Sequence, residues 1–241
     1  MKQVVFTIAA AALASAVSVA AAQASTTISV ETYSALDFAA KAGGLTSQTV
    51  EDFEGFGAGE VTSAFSTAVG TFSTLGGTGS GGTVSGTPGN TGTDLYLRDA
   101  GVFGRVNTTP GGSNFLDSND TFGVEWVVDT GSMFDRILFT ISDASDTGAD
   151  LTILADGMSL TTFLDGQGNG TVDTVLISFG SKISTATLRF ENRNTAGAFI
   201  TNDGFGLDDM TVAAAVPLPP AVALLGAGVA ALGALRRRGK A

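Results

Sequence analysis

The chain has 241 residues, 33 of them Gly, with no Cys, no His and a net charge of −11. Without those two residue types there can be no disulfide, no Ser-His-Asp triad, no Cys-His dyad and no ordinary zinc site. Five of the 12 basic residues stand in the two ends and all 23 acidic ones between them. Residues 25–215 therefore carry 7 basic against 23 acidic side chains, −16, which argues against nucleic acid and anionic lipid as partners.

The first segment reads as an export signal. Lys2 supplies a positive start, residues 4–19 are apolar and Ala-rich, and Ala22-Gln23-Ala24 fits the small-x-small rule. The expected signal peptide is 1–24, cut before Ser25, and the expected extracytoplasmic domain is 25–215. Residues 26–30 alternate weakly and suit an edge strand. Residues 33–41 place Tyr33, Leu36, Ala39 and Ala40 near helical spacing, with Gly43-Gly44 as a stop, so one short N-terminal helix is expected. Strands are expected at 48–53 and 69–75. Residues 76–92 are almost wholly Gly, Thr and Ser and read as a surface loop. Gly77, Gly79 and Gly82 fall in G-x-G-x-x-G order, but no strand-to-helix unit surrounds them, so no dinucleotide site is read there.

The clearest strand is 121–128, with Phe122, Val124, Trp126 and Val128 on one face. That alternation puts Trp126 in the core and leaves Tyr96, beside the Gly-rich loop, as the freer aromatic for stacking on a sugar. Further strands are expected at 136–142, 151–154, 160–163, 172–179, 187–191 and 207–212. Many short strands with Gly-rich turns predict an all-β fold, an antiparallel β-sandwich of jelly-roll-like order.

Two acidic clusters bracket the domain: Glu51-Asp52-Phe53-Glu54 near its start, and Asp208-Asp209 opening its last strand. First and last strands of an antiparallel sandwich are often neighbours. Carboxylates brought together repel unless protons or a cation neutralise them, and calcium takes six to eight such oxygens. The arrangement resembles galactose-binding-like sandwiches, including many carbohydrate-binding modules, in which an FE near the first strand and a DD opening the last serve a structural calcium. The resemblance implies Glu54 and Asp209 as metal ligands, with Asp52 and Asp208 beside them, and calcium as a structural cofactor. The alternative is solvated strand ends. Asp165-Gly166-Gln167-Gly168-Asn169-Gly170 echoes the start of a calcium loop but has Leu176 where the bidentate Glu belongs, and reads as a hairpin turn. Asp143, Asp146 and Asp150 read as a polar turn first and a ligand set second.

The last 26 residues have three parts: Val216-Pro217-Leu218-Pro219, an apolar run to Leu235, then Arg236, Arg237, Arg238 and Lys240. An apolar run with a basic flank predicts a transmembrane helix over about 218–235 with its C-terminus in the cytoplasm. After Pro220 the helix is about 22 Å long against a hydrocarbon core of about 30 Å, so the arginines must snorkel. Order and composition resemble the VPLPA-type relatives of the PEP-CTERM sorting signals, with Pro220 where Ala is usual. The resemblance implies export, an exosortase-type sorting protease as partner, a membrane anchor held at least transiently, and association with exopolysaccharide. A plain C-terminal anchor is the alternative. The reading that joins these parts is an exported, surface-sorted, non-enzymatic protein of the extracellular matrix. A carbohydrate-binding module and a polysaccharide-active enzyme are its rivals.

Overall fold

The structure, a computed structural model, describes residues 25–61, 64–78, 93–145, 150–156, 158–163, 167–201 and 203–216. The expected signal peptide, Pro217, Leu218, Pro219, the apolar span, Arg236, Arg237 and Arg238 lie outside them. So do Asp146, Asp165, Gly79 and Gly82. Among the described residues no helix is long and apolar enough to cross a membrane.

Among the described residues the domain is all-β with one helix. Its elements are β1 (Thr27–Thr32), α1 (Ala35–Gly43), β2 (Leu45–Glu51), β3 (Gly59–Val61), β4 (Phe65–Thr67), β5 (Gly70–Thr74), β6 (Leu95–Arg98), β7 (Phe115–Asp117), β8 (Gly123–Ser142), β9 (Asp150–Ala155), β10 (Met158–Phe163), β11 (Val172–Arg193) and β12 (Gly206–Ala215). Every strand pair is antiparallel. The order is β10-β9-β11-β8-β12-β7-β6-β3, with β1 on β11, β2 on β12, β5 on β8 and β4 on β5.

Two long strands organise this sheet. The sequence pattern predicts separate strands at 121–128 and 136–142, and at 172–179 and 187–191. The structure joins each pair into one bent strand, because β8 and β11 turn the corner together and stay paired through it, Phe134 opposite Ile183 and Asp129 opposite Thr185. Gly131 sits at the corner with φ 69°, and its N–H donates to Asp129 Oδ1 at 2.9 Å. Trp126 and Phe139 stand on the same strand, where a straight run would hold them about 40 Å apart. Their ring centroids are 6.4 Å apart, edge to face. β8 therefore doubles back, and the sheet closes a core between its two halves. Phe72 stacks on Trp126 at 5.2 Å, and Phe190 meets Phe139 edge-on at 5.6 Å. The Trp126 indole N–H donates to the Val69 carbonyl at 3.2 Å, so the largest buried side chain leaves no polar atom unsatisfied.

The strands absent from the sequence reading are the short ones, β3, β4, β6 and β7. Three or four residues hold too little alternation to announce a strand. All of β7 is buried, because both its faces are covered: Leu116 faces the apolar core and Asp117 a polar one. Helix α1 starts two residues later than expected. Ser34 Oγ caps it by accepting from the Asp37 N–H at 3.4 Å, and the Gly44 N–H closes it on Ala40 O. The helix buries none of its residues and serves to carry the chain from β1, beside β11, to β2, beside β12.

Candidate functional site

The strand that leads into the first acidic cluster is a neighbour of the last strand. β2 pairs with β12, Glu51 opposite Met210 and Val50 opposite Thr211. In a regular strand Asp208 and Asp209 would point to opposite faces. Here the register on β8 slips by one residue between Asp208, opposite Thr140, and Thr211, opposite Leu138. Asp209 takes up the slip with φ 51°, a left-handed conformation that costs a non-Gly residue about 1–3 kcal/mol. The bulge brings both carboxylates onto the same two threonines.

Those threonines belong to the segment before β7. The Thr108 N–H donates to Asp208 Oδ2 at 2.6 Å and the Thr109 N–H to the same oxygen at 3.2 Å. The Asp209 N–H donates to Asp208 Oδ1 at 2.8 Å. The Thr108 hydroxyl lies 3.1 Å from Asp208 Oδ2 and 3.0 Å from Asp209 Oδ2, and it has one proton for the two. The Thr109 hydroxyl donates to Asp209 Oδ1 at 2.7 Å. Asp208 is 1% exposed. Burial pushes its carboxyl up to about 7; the Thr108 N–H opposes this and the Asp209 charge adds to it. The nearby Tyr33 phenol is raised as well, by burial first and then by the charges of Asp209 and Asp208, and it donates to Thr108 O at 3.2 Å.

Glu54 holds the same segment at two places, Asn107 and Ser113–Asn114. Its Oε1 accepts from Asn107 Nδ2 at 3.0 Å, the Ser113 N–H at 2.8 Å and the Asn114 N–H at 2.7 Å. Gly112 lies so close that a Cβ there would strike the Glu54 carboxylate. Asp52 stays in its own turn and accepts from the Glu54 N–H at 3.1 Å. Asp208 and Asp209 are thus brought together on Thr108 and Thr109, while Glu54 binds residues 107, 113 and 114 of the same segment and Asp52 caps a turn. None of the four forms an ion pair among the described residues. Among the described residues no group of three or more His, Cys, Asp or Glu side chains is arranged to hold a metal. A calcium ion at Asp208 and Asp209 would draw on hydroxyl, carbonyl and water oxygens to fill its shell.

A second polar centre escaped the sequence reading. Arg105 is buried, with Nη1 on Asp117 Oδ1 at 2.9 Å, Nη2 on Asp120 Oδ1, and Nε 3.8 Å from Asp143 Oδ2. Arg98 Nε donates to Asp117 Oδ2 at 2.7 Å. Burial works against the Arg105 charge, but Asp117, Asp120 and Asp143 outweigh it and raise its pKa further. Asp120 is raised by burial despite the pull of Arg105. Gly204 closes the centre, since a Cβ there would strike Asp120 and the Arg105 guanidinium. The available signal was scarcity: two of the domain's seven basic residues, Arg98 and Arg105, precede Asp117 and Asp120 in one stretch of the chain.

The remaining candidates are placed as follows. Trp126 is core. Residues 167–170 form a turn, with the Thr171 N–H on Gly168 O at 3.0 Å, and the Gly170 N–H binds Asp143 Oδ1 at 2.8 Å. Asp150 opens β9 opposite Arg193. Compared with known protein families and with curated proteins, the sequence matches none.

Proposed function

We propose that this is an exported, non-enzymatic surface protein, sorted through its C-terminal segment and stabilised by a calcium ion at Asp208 and Asp209. Its domain is a two-layer antiparallel sandwich, jelly-roll-like in order, that works by binding. The observation that carries the metal is the bulge at Asp209. A strained non-Gly conformation sets two adjacent carboxylates side by side, and no basic side chain pairs with either among the described residues. Strain of this kind persists only where the surroundings hold it, and it concentrates at functional sites. Sorting rests on the tripartite tail and the signal peptide, export on the latter. A processing protease acts near Val216–Pro219 in this reading, and Arg236, Arg237 and Arg238 hold the tail inside until then.

A ligand that binds only the folded state adds RT ln(1 + [L]/Kd), about 2.7 kcal/mol at a hundredfold excess. Calcium should therefore raise the melting temperature of the exported protein, and a chelator should lower it. Magnesium should substitute poorly. Asp209→Asn should lose most of the response. The intact mass of the same preparation should place the N-terminus within a few residues of Ser25. Melting indifferent to calcium at matched ionic strength would reduce the two aspartates to a structural bulge; a retained Met1 would remove export. A second reading, glycan recognition, is favoured by a recess at Tyr96.

A further inference from the structure

On the outer side of β6 lies a recess of about 350 Å3, lined by Tyr96, Arg98, Asp99, Ala58 and Gly101 among others. That size is at the lower end of small-ligand sites. β6 alternates across the sheet: Leu95 and Leu97 enter the core, so Tyr96 and Arg98 share the opposite face. We infer that this recess binds one ring of a neutral polysaccharide, with Tyr96 as the stacking platform, Asp99 as acceptor for ring hydroxyls and Arg98 as the group that positions the Tyr96 ring. The inference rests on the glycan-recognition reading and gives it a place and a sugar class.

Four observations carry it. The Tyr96 ring is half-buried, and its hydroxyl makes no hydrogen bond to a described residue. The Arg98 guanidinium lies 4.3 Å from the centre of that ring, which steadies the ring from one side. Arg98 is itself fixed, through Nε to Asp117 at 2.7 Å, and Asp117 is fixed in turn by Arg105 and the Asn119 N–H. Asp99 is exposed and engages no described residue. A pyranose has apolar C–H faces and a hydroxyl rim that both donates and accepts. An aromatic ring for the C–H face and a carboxylate for the hydroxyl rim, around one small recess, match both parts. The charge narrows the class. Asp99 and Glu60, which stands opposite Tyr96 on β3, add to a domain of −16, so uronate-bearing and sulfated chains are repelled.

The test is affinity electrophoresis of the exported protein through gels holding a neutral β-glucan, a galactomannan or alginate, backed by calorimetry on the neutral chain that retards it. Retardation by a neutral polysaccharide and none by alginate is expected. Tyr96→Ala should weaken calorimetric binding by about tenfold or more, and Asp99→Asn by a few-fold. The exposed Asp99 guards the result against loss of folding, and an unchanged melting temperature checks both variants. If the parent is retarded and both variants bind equally, the recess is wrong and glycan recognition stands. If alginate alone retards the parent, the neutral class is wrong. If none of the three retards it, the recess and the glycan reading fall together.

Discussion

Asp208 and Asp117 are both carboxylates with almost no solvent contact, and the chain treats them in opposite ways. Asp117 faces two guanidinium groups, 2.7 and 2.9 Å away, so its charge is matched within the protein. Asp208 faces N–H groups and hydroxyls with a second carboxylate beside it, so only dipoles oppose its charge. Dipoles satisfy the lone pairs but do not cancel the charge, and burial then pushes Asp208 up to about 7. The two centres sit on either side of one segment, residues 105–120, one closed electrostatically and the other left open to a proton or a metal ion. Two of the domain's seven cations serve the first, and among the described residues none pairs with the carboxylates of the second.

The comparison breaks most visibly at Arg105. Replacing it by Met strands Asp117, Asp120 and Asp143 with Arg98 as their remaining counter-charge among these residues. Removing one partner of a buried ion pair costs about 3–5 kcal/mol. Urea unfolding of Arg105→Met should show a loss of that order, smaller at low pH where the aspartates take up protons. A loss under 1 kcal/mol would mean the network is not what holds 105–120 in place.

The open centre predicts a pH dependence. With chelator present, the folded-state carboxyl of Asp208 is raised to about 7 from 3.8. Between these values the unfolded chain releases its proton first. The Asp208 contribution to stability is therefore greatest below about pH 4, falls as pH rises towards 7 and levels off above, a change of order 2–4 kcal/mol. Asp120 and Asp173 are raised by burial too and slope the same way, so the measurement is the difference between the parent and Asp208→Asn, which should lose the Asp208 part. Calcium should shift the falling limb to lower pH, since a cation favours the ionised form. Equal slopes in parent and variant would place the ionisation elsewhere.

The smallest effect belongs to the bulge itself. Asp209→Gly relieves the left-handed strain and one of two like charges, but gives up two hydroxyl hydrogen bonds. In chelator the balance should be a gain of about 1 kcal/mol at neutral pH. With calcium the sign should reverse, because the parent alone gains the ion. A variant less stable than the parent under both conditions would show that Asp209 serves the fold and no ligand.

Much of this was legible in the chain, for reasons that differ by residue. Trp126 and Phe139 declared themselves by period-two alternation, and each is core. The pairing of the first acidic cluster with the last strand was expected for an antiparallel all-β fold, and β2 does lie on β12. The bulge was not legible, because Asp at a left-handed position carries no signal of its own, as Gly would. Nor were the donors on Asp208 and Glu54: they are mostly backbone N–H groups of 108–114, whose direction depends on where that segment is pinned. Gly131 reads as a turn between strands because composition does not separate a turn from a corner around which the ladder continues. The Arg105 centre draws on Asp117, Asp120 and Asp143, and its strands are too short to place those residues side by side.

The position of β12 has a mechanical consequence. It lies inside the sheet, bonded to β8 on one side and to β2 and β7 on the other, and the Ala215 N–H is tied to Asp135 Oδ1 at 2.7 Å. Val216, the first residue of the proline motif, follows with no spacer. Tension applied at Val216 runs along the strand axis and loads both ladders in shear, so many hydrogen bonds must rupture together. At the opposite terminus β1 has a single ladder, on β11. A cell that pulled on this protein through its tail would be pulling on a strand laddered on both sides, and the load would pass sideways through β7 to β6 and the ring of Tyr96.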